Sequence, residues 1–233
     1  MTLPLALLQL VSPALPVGAF SYAEGLEVLV QAGELRDAAT LRAWLEAELQ
    51  FGLLAVEAAA LGPLQQAFKT SNMEQLLDLN DWLIAQREAP EMRAQQWQMA
   101  GSLLQLLAAM GWPLTEQCQG LKLTGLKLTG LKSTGLGWTS AWAWAGHCLN
   151  LAATDLVEAY LYGWLANQIS AAVRLIPLGA TEGQCLQLQL APLISSQANY
   201  LISQDPRQMF SSGVGASLAQ LQHGALYSRL FRS

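Results

Sequence analysis

Apolar side chains recur at three- and four-residue steps along most of this chain, and proline and glycine cut the pattern into segments too short for anything but a packed helical bundle. From Asp37, "DAATLRAWLEAELQFGLLAVEAAAL" sets Leu41, Trp44, Leu45, Leu49, Gly52, Leu53 and Val56 on one stripe. Glu46, Glu48 and Glu57 then read as a solvated helix face. In "SNMEQLLDLNDWLIAQ", Ser71 and Glu74 have the spacing of a capping box, in which each side chain satisfies a free N–H of the first turn. "APEMRAQQWQMAGSLLQLLAAMGWP" offers Pro90 as a first helical residue, repeats apolar groups at Met99, Leu103, Leu106, Leu107 and Met110, and stops at Gly111 and Pro113. "DLVEAYLYGWLANQISAAVRLIPLG" carries Leu156, Tyr160, Leu161, Trp164, Leu165 and Ile169 before Pro177 and Gly179 end it. The expectation is an all-α, single-domain helical bundle over residues 1–233.

Two further segments test that reading. "QCLQLQLAPLI" alternates apolar and polar residues as a strand would, but one isolated strand has nothing to pair with, so a helix kinked at Pro192 is expected. "GASLAQLQHGALYSRLFRS" reads as a short helix running into a frayed tail.

Residues 120–137, "GLKLTGLKLTGLKSTGLG", fit no element. Five residues advance a helix by about 500°, so the leucines of this pentamer cover no single face, and each helical Gly costs roughly 1 kcal/mol against Ala. A flexible inserted loop holding Lys122, Lys127 and Lys132 in water is expected.

The opening "SPALPVGAFSYAEGLEVL" is rigid and aromatic where the rest is plainly helical. Pro13, Pro16 and Gly18 would fix the backbone around Phe20 and Tyr22, ahead of Glu24 and Glu27. Such a segment either staples the first helix to the core or presents a preset surface to a partner.

Charge narrows the function. The net charge is -5, and no dense Lys/Arg cluster offers a nucleic acid a footprint. Residues 1–100 hold twelve acids and five bases, net -7; residues 101–233 hold five acids and seven bases, net +2. No acid follows Asp205, whereas Arg207, Arg229 and Arg232 do, so the end of the chain suits pairing with an acidic partner or with the chain's own first half. Cys118, Cys148 and Cys185 are odd in number and scattered, which argues against a disulfide framework or zinc site and fits a reducing cytoplasm. No Lys or Arg precedes "LPLALLQLV" as in a secretory signal, and Glu57 interrupts the longest run that would approach a membrane span.

The inventory for catalysis is thin. His147 and His223 are the two histidines, and neither sits in a metal-binding motif. His147 and Cys148, adjacent on a helix, would point about 100° apart. "GVGAS" at 213–217 follows no strand, so a nucleotide site is not expected, and neither is a catalytic or cofactor site. Eight tryptophans are expected to pack the core. An apolar, helical protein with no reaction centre suits binding to other polypeptides, its own copy included.

Four segments in order, "LLQLVSPALPVGAFSYAEGLE", "REAPEMRAQQWQMAGSLLQLL", "YLYGWLANQISAAVRLIPLGATEGQ" and "HGALYSRLFRS", resemble the urease accessory protein F family (UreF). The resemblance runs from about residue 7 to the end apart from the repeat; the family often has Gln where Ala180 stands. It implies an all-α, homodimeric cytoplasmic protein, not itself an enzyme, that serves nickel insertion into apo-urease. It further implies a scaffold bridging the nickel-carrying GTPase UreG and the scaffold protein UreD (also UreH). The partner-binding residues expected on this basis are Phe20, Tyr22 and Glu24 at the opening, and Arg174 toward the dimer or GTPase. His223, Tyr227, Arg229, Leu230, Phe231 and Arg232 form a tail, 223–233, that docks the scaffold protein. The competing reading is a direct nickel chaperone using His147, Cys148 or His223.

Overall fold

The computed structural model describes residues 5–115 and 135–232, and the described residues are helical with no strand among them. The pentamer repeat falls almost wholly at 120–134, outside the described residues.

The helices are α1 (Leu5–Leu10), α2 (Leu26–Gln31), α3 (Ala38–Phe51), α4 (Leu53–Lys69), α5 (Met73–Ala85), α6 (Pro90–Ala109), α7 (Trp138–Cys148), α8 (Ala153–Leu175), α9 (Ala180–Leu201) and α10 (Val214–His223). Short 3-10 turns lie at Ala19–Ser21 and Pro206–Gln208. Two helices form the axis of the bundle. In α4 every residue from Leu54 to Leu61 is buried, and in α7 every residue from Thr139 to Gly146, so small alanines and glycines let neighbours close in on all sides. Around α4 lie α3, α5, α7 and α8; α9 packs along α8, and α6 along α7. Gly146 shows how tight this is: a Cβ there would lie 2.5 Å from Leu156 Cδ2. The run Ala38–Lys69 is long and apolar enough by composition to cross a membrane, but 61% of its most apolar window is buried inside the fold, as a core helix requires.

Local chemistry sets most boundaries. Asp37 caps α3, accepting the Thr40 N–H at 2.8 Å, while Thr40 Oγ1 accepts the Asp37 N–H in return. Pro90 opens α6, as the sequence indicates, and Gly111, at φ +95°, turns the chain beyond it. The "QCLQLQL" alternation is helical: Leu186, Leu190, Ile194 and Ala198 are buried four residues apart, while Leu188 points to solvent.

Three local expectations change. The stripe from Leu41 to Val56 belongs to two helices, because Gly52 breaks the run at ψ 172°. The cap of α5 is Asn72, which accepts the Gln75 N–H at 3.1 Å; Ser71 stands in the left-handed region at φ +53° and supplies no cap. The end of the chain is not frayed: after α10 it folds back onto α2, and Phe231 is buried.

Candidate functional site

The opening segment forms one wall of a cavity of about 450 Å³, facing α8 and α6. Gly18, at φ +74°, turns the backbone so that the two aromatic residues part. Phe20 is 67% exposed beside the cavity. Tyr22 is buried, donates to Gln98 Oε1 at 3.0 Å and accepts the Asn167 amide on its carbonyl at 3.0 Å. Tyr22 is therefore the staple of this segment, and Phe20 its surface.

Glu24 holds a left-handed backbone at φ +49° and turns its carboxylate inward. Oε2 accepts the Trp164 indole N–H at 2.9 Å and Oε1 the Gln95 amide at 3.4 Å. Burial raises its pKa; Arg87 opposes that shift and Glu57 adds to it.

Glu57, read from sequence as solvated, is 2% exposed. Its Oε1 accepts Arg87 Nε at 3.0 Å together with a second, closer bond from Arg87 Nη2, and its Oε2 accepts the Tyr160 hydroxyl at 2.9 Å. Thr139 Oγ1 completes the chain 3.3 Å from Tyr160. Burial works against the Arg87 charge, but Glu57, Glu24 and Tyr160 outweigh it and the guanidinium stays charged. Burial, then Glu57, also drives the Tyr160 phenol pKa well up, so it remains a donor. Periodicity cannot reveal this cluster, whose members come from α4, the α5–α6 link, α7 and α8.

A void of about 20 Å³ lies next to it, lined by Glu24, Glu48, Glu57, Arg87 and Ser217 among others. Glu48, half-buried, has its pKa pushed up to about 7 by burial and then by Glu24, with Arg87 opposing. It too departs from the solvated face expected.

At the other end of the chain, Glu27 on α2 is buried and grips the tail. Its Oε1 accepts the Leu230 N–H at 2.7 Å and its Oε2 the Phe231 N–H at 3.1 Å. His223 Nε2, also buried, stands 3.4 Å from Glu27 Oε2. The exposed Arg174 lies over the Phe231 ring at 4.8 Å. The Arg232 N–H donates to Ser21 O at 2.8 Å, which brings the tail against the opening segment itself.

Tyr227, Arg229 and Leu230 face solvent. Of the residues expected to meet partners, the fold thus gathers Arg174, His223, Leu230, Phe231 and Arg232 around α2, and sets Phe20 and Glu24 at the cavity. The residues that link the two places, Glu27 and Gly25, belong to the opening stretch but are not among the site residues expected from sequence. A Cβ on Gly25, at φ +85°, would lie 3.0 Å from Ala219 Cβ and 3.1 Å from the Gln220 nitrogen of α10.

Next to the tail, α10 buries Ala216, Ala219 and His223 and leaves Val214, Leu218 and Leu221 exposed at helical spacing. Phe210, just before α10, and Phe51, at the end of α3, are also exposed, and the Ser212 N–H to Phe51 O bond, 2.9 Å, ties these two segments together.

His147 stacks on Trp144 with ring centroids 5.2 Å apart, and burial pushes the Cys148 thiol up to about 12. His223 lies on another helix against α2, and among the described residues no three His, Cys, Asp or Glu side chains converge as metal ligands.

Comparison with known proteins matches the UreF family over residues 35–191. The chain is similar to the urease accessory protein UreF of Nostoc sp., 42% identical over 229 residues, covering 98% of this chain and 95% of that protein. It is equally similar to that of Trichormus variabilis, 42% identical with the same coverage, and 37% identical to that of Thermosynechococcus vestitus, covering 98% and 97% of the two chains.

Proposed function

The chain belongs to the UreF family of urease accessory proteins, and on that premise we propose that it is an assembly scaffold for nickel insertion into apo-urease. In this reading it is a cytoplasmic homodimer that holds the GTPase UreG and the scaffold protein UreD in one complex. Differential affinity for the two states of the GTPase couples nickel release to nucleotide turnover. The chain contributes surfaces and positions, while the metal passes between its partners.

One observation carries this reading: the exposed apolar face of Val214, Leu218 and Leu221 on α10, followed along the chain by the tail with its exposed Tyr227, Arg229 and Leu230. An apolar helical face beside cationic side chains is suited to a partner groove with an acidic rim. Arg174, over the Phe231 ring, anchors the far end of that tail.

Co-expression with UreD and UreG tests it by size-exclusion chromatography. The wild-type chain should elute in a complex with both. Leu218→Glu with Leu221→Glu, on the exposed face, should lose UreD while retaining wild-type helicity by circular dichroism. A complete complex from that variant, or urease fully matured in cells lacking the protein, rejects the reading.

A further inference from the structure

The cavity behind the opening segment is larger and more aromatic than a packing defect. Its volume of about 450 Å³ lies within the range of roughly 300–1,000 Å³ that suits small ligands. Six rings line it: Phe20, Trp138, Trp142, Tyr160, Tyr162 and Trp164. Phe20, Tyr162 and Pro13 are exposed at its mouth, so the space opens outward.

Its charges have a definite sign. Glu24 and Glu57 line it against one cation, Arg87, and that guanidinium is engaged by Glu57 through two hydrogen bonds. The donors to Glu24 are neutral groups, the Trp164 indole and the Gln95 amide. An anion entering here would meet a surplus of carboxylate. A metal ion would want converging ligands, and no such cluster of three occurs among the described residues. Aromatic faces around two carboxylates that share one arginine instead attract a delocalised or alkylated cation, through the ring quadrupoles and the surplus charge together.

We propose that this cavity recognises a guanidinium or ammonium group carried on an apolar stem, with Glu24 as its counter-ion and Trp164 and Tyr162 as its aromatic walls. The stem lies along Phe20 and Pro13, and the cationic head reaches inward to Glu24. Either a free organic cation or an Arg or Lys side chain of a partner presents this chemistry. The cavity supports this recognition independently of the assembly role, and the isolated chain suffices to test it.

Tryptophans in the wall provide the readout. Intrinsic fluorescence of the purified protein is titrated with n-butylguanidinium, n-butylammonium and the uncharged butyramide at constant ionic strength. The two cations should give saturable changes and bind about tenfold or more tightly than the amide. Glu24→Gln should abolish that preference. Phe20→Ala, at an exposed position that the fold does not need, should weaken the cations about threefold to tenfold. Equal response to cation and amide, or an unsaturable change in the wild type, overturns the proposal. Adding n-butylguanidinium to the complex with UreD and UreG separates the sources. Displacement of a partner assigns the cation to that partner's side chain; binding with the complex intact assigns it to a free molecule.

Discussion

Phe231 donates its backbone N–H to Glu27 Oε2 across 3.1 Å, joining residues 204 positions apart. With the Leu230 N–H on the other oxygen, one carboxylate on α2 satisfies two consecutive amides of a segment that has no helix or sheet to satisfy them. The tail is held by that carboxylate and by Arg174 over the Phe231 ring.

Glu27→Ala should therefore release the tail without unfolding the bundle. Charge-assisted bonds of this kind contribute about 1.5–3 kcal/mol each, enough to shift the segment from docked to open. Limited trypsin digestion should cut after Arg229 several-fold faster in the variant, with helicity retained, in accord with about 1 kcal/mol or more of local opening. An unchanged cleavage rate would show that the carboxylate does not hold the tail.

Arg87 and Glu57 give a different kind of prediction, because both are buried. Arg87→Met leaves the Glu57 carboxylate with the Tyr160 hydroxyl alone and should cost about 3–5 kcal/mol in urea unfolding. Adding Glu57→Leu should recover much of that loss, since the uncompensated charge is gone. Strictly additive losses in the double variant would contradict the pairing.

Stability should also depend on pH through Glu48. Its pKa rises from the ordinary 4.5 to about 7 in the fold, so the folded state binds the proton more tightly than the unfolded state does. The contribution is full below pH 4.5 and is lost as pH rises toward 7, with Glu24 raised in the same direction and Arg87 opposing. Over that window the loss amounts to about 2–3 kcal/mol at most. Urea midpoints between about pH 5 and pH 8 should fall in the wild type and fall less in Glu48→Gln. Parallel pH profiles for the two proteins would exclude Glu48 as the source.

These residues mark where the sequence is legible. Pro90 and the three- and four-residue apolar steps of α6 and α8 act within a turn or two of themselves, so their consequences can be read locally, whereas the strand-like alternation of α9 resolves into a helix only once its neighbours are known. Glu57 cannot be read that way. Its partners stand 30 and 103 residues further on, and a lone glutamate in an alanine-rich helix looks the same whether water or an arginine neutralises it. Ser71 has the spacing of a cap, but a left-handed backbone there hands that role to Asn72. The cationic end suits the chain's own acidic first half, and Arg207 does pair with Asp78 there, whereas Glu27 takes backbone amides of the tail and not its arginines. The hydrogen bonds to backbone amides carry no sequence signature, and neither does the cavity, which is shaped by several separate segments.

The grip of Glu27 on Leu230 and Phe231 also orders events during synthesis. Translation delivers α2 first, and the Phe231 amide that satisfies its buried carboxylate is made 204 residues later. Until the tail is made, the Glu27 carboxylate lacks the two backbone amides that satisfy it in the fold. Docking must wait for it, so a chain that stops before Leu230 keeps a complete α2 but leaves its buried carboxylate without either amide.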